Sequence, residues 1–440
     1  MDNRFLLQFF FLLSLSFGCL AEDLSLRIHG SNTIGAQLAP ELIHAWLETK
    51  NYQSIKIEKE AERSSLQAKS PTGDKLLVEI EAKGSSTGFR ALKNGQADLG
   101  MSSRRIKKQE IETLSSLGSM TSLESEHVIA LDGIAVIVHP DNPINMLKKA
   151  EIRDIFSGKI KDWKEVGGAP GTIHLYARDN ASGTFDVFRS LVLGKKTPLA
   201  KNTTTYTENA GLSAGVSGNQ QGIGFVSLPF VLNAKALAIS DGDAPPIQPS
   251  RFSVATEDYA LSRRLYMYIP NNPANSLARD FIEYVQSDAA QKVIAKIGFV
   301  SQEIFFGDSG PGDQYPEEMR RFAQDAKRLS INMRFAEKTV FLDNKAKRDA
   351  DRVHRFLEKN GKLDDGIQLF GFAENKTGGM ASKSLSRSVR RADQVANYLR
   401  DKGISVVISR GYGNATPVAS NETTLGQEKN RRVELWLEQK

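Results

Sequence analysis

The stretch Arg178–Phe188, RDNASGTFDVF, sets a cation, an acid, a serine and a threonine around one glycine. Two chemistries use such a set. A base-activated Ser182 would be a nucleophile, whereas a glycine turn opening a helix offers free backbone N–H groups to an anion. In the second case Ser182 and Thr184 add hydroxyl donors, Gly183 lets the ligand approach closely, and Arg178 brings a planar fork matched to an oxyanion. Two further turns share the composition, GSNT at 30–33 and GSST at 84–87. Three hydroxyl-rich turns favour one tetrahedral-oxyanion site over a hydrolase, although Ser and Thr are also ordinary helix caps.

Other serine motifs are weaker. GLSAG at 211–215 fits the nucleophile-elbow pattern, but the polar KNTTTYTENA before it is a poor central strand, so Ser213 reads as part of a small-residue turn. GDSGPG at 307–312 lies in a segment rich in glycine, proline and charge, with no histidine or aspartate in matching context. The six histidines lack metal-ligand spacing. No catalytic residue, metal or cofactor is expected.

The elements that position these turns follow an α/β rhythm. LSLRIH, LLVEIEAKG, VIALDGIAVIVH, TIHLYARD and RRLYMYI read as strands. IGAQLAPELIHAWLE, KKAEIRDIFSG, TFDVFRSLVLG and NSLARDFIEYVQSDAAQKVIAKIG read as helices. At 440 residues, the chain is too long for one core. A composition shift over 306–330 marks a linker between a unit at 22–305 and a smaller α/β unit at 331–440. Residues 1–21, one cation followed by an apolar run and small residues, read as a signal peptide cleaved after Ala21. The only cysteine, Cys19, falls inside it; SFGC is similar to a lipobox, but Ser16 and Phe17 fit that pattern poorly, which favours simple cleavage. No later stretch is long and apolar enough to span a bilayer. The net charge of +6 eases the approach of anions, without the dense basic face expected for nucleic acid.

At HGSNTIG, KGSSTGF, ADLGMSSR, IRDIFSGKIKDW, RDNASGTF, GIGFVSL and LARDFIEYV the sequence resembles the periplasmic phosphate-binding proteins of ABC importers. The resemblance implies a two-lobed fold closing on phosphate. Thr33, Ile34 and Ser85 would contact it from one lobe and Arg178, Ser182, Gly183 and Thr184 from the other, with an ABC importer as a further partner. Where well-known members carry an aspartate that accepts the proton of hydrogen phosphate, this chain has Ser103, which weakens the case for strict selectivity. The tail resembles the OmpA-like peptidoglycan-binding domain at RADQVANYLRDKGI and GYGNATPVASNETTLGQEKNRRVEL. That likeness implies a site for the diaminopimelate of the wall at Arg391 and, in the aspartate position, Glu374. After Glu374 the usual spacing is not kept, and Arg391 could instead belong to an exposed basic run with Arg387 and Arg390. Together the likenesses imply a binding protein of the periplasm, associated with the wall or outer membrane of a Gram-negative-type envelope. The other readings are a structural wall-linking protein with altered ligand binding and, remotely, a serine hydrolase.

Overall fold

The computed structural model describes residues 24–60, 62–180, 182–194, 196–308, 310–336, 339–375 and 380–439; the expected signal peptide and Cys19 lie outside them. Alternating apolar residues build the first strands. β1 (Leu24–Gly30) buries Leu26 and Ile28, and β4 (Lys75–Glu81) buries Leu76, Val78 and Ile80. Between them run β2 (Gln53–Lys59) and β3 (Arg63–Lys69), an antiparallel pair that the sequence does not announce because its residues are mostly polar and exposed. β5 (Leu99–Ser102) follows, and then the 13-residue β6 (Glu126–Val138), buried throughout. Next come β7 (Met146–Lys148), β8 (His174–Arg178), β9 (Thr204–Tyr206), β10 (Gly222–Ser227), β11 (Lys235–Ala236), β12 (Ala238–Ser240) and β13 (Ser262–Tyr268).

The main sheet has the order β2-β3-β4-β1-β5-β13-β6-β10-β8-β9, with β11 also on β6. β1 pairs in parallel with β4 and β5, and β8 with β9 and β10, as strand–helix–strand units require. The antiparallel pair β6–β13 joins the two halves. One core, around Leu42, Trp46 and Phe281, lies under the β1 half; another, around Phe156, Phe188 and Phe225, lies under the β8 half. The single helix expected over 275–298 is two, Ser276–Val285 and Asp288–Ile297. Ser287 ends the first by accepting a hydrogen bond from the Ala290 N–H and so capping the second. Among the described residues no helix is long and apolar enough to cross a membrane.

The C-terminal unit is a four-stranded sheet in the order β14-β17-β15-β16, from β14 (Ala326–Arg334), β15 (Ile367–Phe372), β16 (Val406–Gly411) and β17 (Arg432–Glu438). The helices Asn344–Lys359 and Ala381–Arg400 pack on it. β14 starts ahead of the expected boundary at 331, and the segment before it is not a free linker. The helix Glu317–Phe322 buries Met319 there, and Phe306 bridges to Leu329. Composition hides this packing because the glycines and prolines of the segment outweigh its few apolar residues.

The C-terminal unit is docked on the segment leading into β13. Asp258, buried, accepts hydrogen bonds from Arg328 Nη2 at 2.7 Å and Asn332 Nδ2 at 2.8 Å, and lies 3.7 Å from Arg334 and 3.9 Å from Arg432. Arg264, on β13, pairs with Glu257 at 2.8 Å and with Asp343 of the C-terminal unit at 2.7 Å. Burial opposes ionisation of Asp258, yet Arg328, Arg432 and Arg334 hold its carboxyl below the ordinary range. Removing one member of such a set strands buried charge, which costs more than the set itself contributes. Asp258→Ala is therefore expected to lower stability by about 3–5 kcal/mol and to split one urea transition into two, read by tryptophan fluorescence and circular dichroism. An unchanged, single transition would mean the units are not coupled through Asp258.

Candidate functional site

The first two hydroxyl turns open their elements as expected and converge on one cleft. Gly30 has φ +141°, and a Cβ there would meet the Met101 carbonyl oxygen at 2.0 Å, so only glycine admits the chain at this point. It delivers Ser31, Asn32 and Thr33 to the head of the helical segment beginning at Ile34. Gly84, φ +102°, does the same for Ser85, first residue of the helix Ser85–Lys93. Ser103 follows β5; its N–H donates to Ser85 Oγ at 3.1 Å, and the two hydroxyls are 3.3 Å apart. Ser31, Asn32, Ser85, Ser86 and Ser103 line a cleft of about 480 Å³, faced from across by Arg189 and Arg263. Ser31 Oγ and Asn32 Oδ1 are buried there without a hydrogen-bond partner among the described residues. Unpaired buried polar atoms are rare in folded proteins and call for an explanation such as a bound group.

The third turn behaves differently. Ser182 is the N-cap of the helix Gly183–Phe188, its Oγ accepting from the Phe185 N–H, and Thr184 Oγ1 lies 2.9 Å from Ser227 Oγ. Gly183 is pressed onto the first turn: a Cβ added to it would lie 2.7 Å from Thr33 Cα. Arg178 does not join the cleft. Its Nη2 donates to the Thr207 carbonyl at 2.5 Å, and the residue lines a separate depression with Asp179 and Thr205. The Ile34 side chain is fully buried in its lobe's core, leaving only its backbone for a ligand. Ser213 sits inside the helix Asn209–Ser217, where its Oγ donates to the Val231 carbonyl, so the elbow geometry is absent. Ser309, in the other serine motif, lies outside the described residues.

The guanidinium that the structure places between the lobes belongs to Arg263 on β13. Its Nε donates to Asp132 Oδ2 on β6 at 3.3 Å, and its Nη2 to Thr33 Oγ1 at 2.7 Å and the Gly183 carbonyl at 3.4 Å. Burial raises the Asp132 carboxyl pKa and lowers that of Arg263 despite their pairing. Burial likewise raises Asp186, against Arg189, at the cleft edge. A signal for this pair was present: Asp132 is the one acid within the run VIALDGIAVIV, where a lone buried charge needs a partner. In the C-terminal unit, Glu374 accepts from Arg391 Nη1 at 3.1 Å, each residue being 3% exposed. Arg391 is therefore apart from the exposed Arg390, and its guanidinium lies 5.4 Å over the Phe335 ring. Arg387 also approaches Glu374, at 3.6 Å.

This arrangement, two α/β halves joined by crossing strands with polar turns facing a cleft, defines a binding-protein fold. The PBP superfamily domain matches residues 53–289 and the OmpA family matches 334–431. The chain belongs to the PBP superfamily, among its PstS-like members, and carries an OmpA family domain at its C-terminal end. Phosphate-binding protein PstS of Pseudomonas aeruginosa is 30% identical over 241 residues, covering 51% of this chain and 73% of the relative. Protein SphX of Synechococcus elongatus is 30% identical over 237 residues, covering 51% and 69%. The crystal structure of a possible phosphate binding protein from Planctomyces limnophilus shares the fold, with a TM-score of 0.51 at 21% identity over 68% of this chain and 96% of that one.

The Gly183–Thr33 contact is the seam along which the lobes meet. Gly183→Ala puts a methyl group against backbone, so we expect a stability loss of about 1–3 kcal/mol, measured as a lower urea midpoint. A midpoint equal to the parent's would show that the two turns do not touch in solution.

Proposed function

We propose that this chain is an exported envelope protein that binds phosphate or a related oxyanion between its lobes and is tethered to peptidoglycan by its C-terminal unit. It is a binding protein rather than an enzyme. The observation that carries the reading is the cleft itself: hydroxyls of Ser31 and Ser85 at two glycine turns with Ser103 beside them, two of its buried polar atoms unpartnered, and Arg263 on its wall. The names of the PstS relatives support phosphate as the ligand. Thr33 and Ser85 contribute hydroxyls and Ile34 its backbone; Ser182, Gly183 and Thr184 close the cleft from the second lobe. Arg178 reaches the anion only if it leaves the Thr207 carbonyl.

Ser103 decides selectivity. An aspartate there would repel a fully ionised anion and accept the proton of hydrogen phosphate, whereas a hydroxyl donates to either. Titration calorimetry on the mature chain should show sulfate competing with phosphate, and Ser103→Asp should raise the phosphate-to-sulfate affinity ratio by about tenfold or more, the size expected from one like-charge contact. An unaltered ratio would remove Ser103 from the site; heat-silent titrations with both anions would favour the second reading, a wall-linking protein with altered ligand binding.

Diaminopimelate presents an ammonium and carboxylates, which the Glu374–Arg391 pair complements. The OmpA family domain supports a wall tether, and with the expected signal peptide it supports a location in the envelope, here read as a Gram-negative periplasm. Delivery to an ABC importer is a further role this reading allows, with a tethered rather than a diffusing receptor. The full mature chain should sediment with purified peptidoglycan of the diaminopimelate type at low salt, and Arg391→Ala should lose most of that binding. Equal sedimentation of both, with matching circular dichroism, would withdraw the tether.

A further inference from the structure

Beside the cleft lies a second cavity of about 250 Å³, at the junction of both lobes and the C-terminal unit. Ser103, Arg104, Ser190 and Arg263 belong to the walls of both, so the two cavities are neighbours sharing one wall. Seven of the side chains lining the junction are cationic and three are acidic. The acids that partner three of the cations sit outside this wall: Glu110 holds Arg104 at 2.7 Å, Glu126 holds Arg105 at 3.1 Å and Asp132 holds Arg263 at 3.3 Å. Each of those pairs therefore turns its basic member toward the cavity.

The C-terminal unit supplies the rest. Arg431 is 7% exposed, reaches Glu428 only at 3.9 Å, and its Nε is buried with no hydrogen-bond partner among the described residues. The Lys429 ammonium rests on the carbonyl oxygen of Tyr259 and on Ser262 Oγ, at 3.0 Å for the latter. Burial and the neighbouring Arg334 press its pKa down to about 7, a cost that an anion in the cavity would relieve. Guanidinium forks in this density suit phosphoryl oxygens, which accept from several donors at once.

From these observations we propose that the junction is a second anion subsite beside the cleft, and that a chain of linked phosphates spans the two with a terminal phosphoryl group in each. This inference rests on the phosphate reading of the cleft for the first group alone. It gives the C-terminal unit a part in ligand recognition, since Lys429 and Arg431 come from it. A cavity of this size admits a phosphoryl group and excludes a folded partner.

The test is calorimetry on the mature full chain with orthophosphate and with tripolyphosphate at matched ionic strength, for the parent, Arg431→Gln and Arg105→Gln. Arg105 is partly exposed, so its variant keeps the test sound if the buried Arg431→Gln fails to fold by circular dichroism. Tripolyphosphate should bind the parent about tenfold or more tighter than orthophosphate, and each variant should lose most of that advantage while keeping its orthophosphate affinity. Equal affinity for the two anions in the parent, or an advantage that survives both variants, overturns the junction subsite and leaves the cleft reading intact. Tripolyphosphate binding that depends on Arg431 without any orthophosphate binding sustains the junction and overturns the cleft reading instead.

Discussion

The antiparallel pairing of β6 with β13 holds the two lobes to one another and to the C-terminal unit. It is the seam of the main sheet, so any relative movement of the lobes bends about it. Consecutive residues on a strand point to opposite faces, and here two consecutive arginines use both. Arg263 turns to Asp132, Thr33 and Gly183 between the lobes, while Arg264 turns to Glu257 and to Asp343 of the C-terminal unit. The same two-residue step therefore ties the ligand cleft to the appended domain.

The cost of burying so many charges explains how they are arranged. An isolated buried ion is driven toward neutrality, and each cation at the seam is accordingly met by carboxylates or carbonyls. Asp258 serves Arg328, Arg334 and Arg432 together, and its carboxyl stays ionised against burial because of them. Further bonds extend the contact, with Asn344 donating to the Thr121 carbonyl at 2.9 Å and Arg352 to Gln286 Oε1 at 2.7 Å. Interfaces built from directional, charge-assisted bonds fix register more than they add stability, so the C-terminal unit holds one orientation on the two-lobed unit. A domain bound to the wall would then present the cleft in a set direction, and strain on one would be felt at the other.

Much of the fold was legible because periodicity is local. The runs that became β1, β4, β6, β8 and β13 are apolar enough to read directly, and the glycine turns at 30 and 84 sit where strand gives way to helix. The β2–β3 pair was missed since its residues face water, and the packed segment before β14 since glycine, proline and charge outweigh Met319 and Phe306. The cleft was half legible. The hydroxyl-rich turn pointed to Ser85 and the resemblance to Ser103, which lies beside it, but no local pattern shows that Arg178 turns to the Thr207 carbonyl, nor that Arg263, 80 residues beyond Gly183, supplies a guanidinium between the lobes. Lobe closure is a long-range event, and its partners are joined only by folding. Glu374 and Arg391 were paired by resemblance, and the structure sets them 3.1 Å apart.

On the reading proposed above, an oxyanion closes the lobes on the turns at Ser31, Ser85 and Gly183, about the β6–β13 pair. Hydrogen–deuterium exchange of the mature chain with and without saturating phosphate reads this closure residue by residue. Protection should rise together over 30–34, 84–87, 102–104 and 182–184, with a smaller rise at 259–264 where the C-terminal unit meets the β6–β13 pair. Protection confined to one lobe, or identical exchange with and without phosphate, would contradict it.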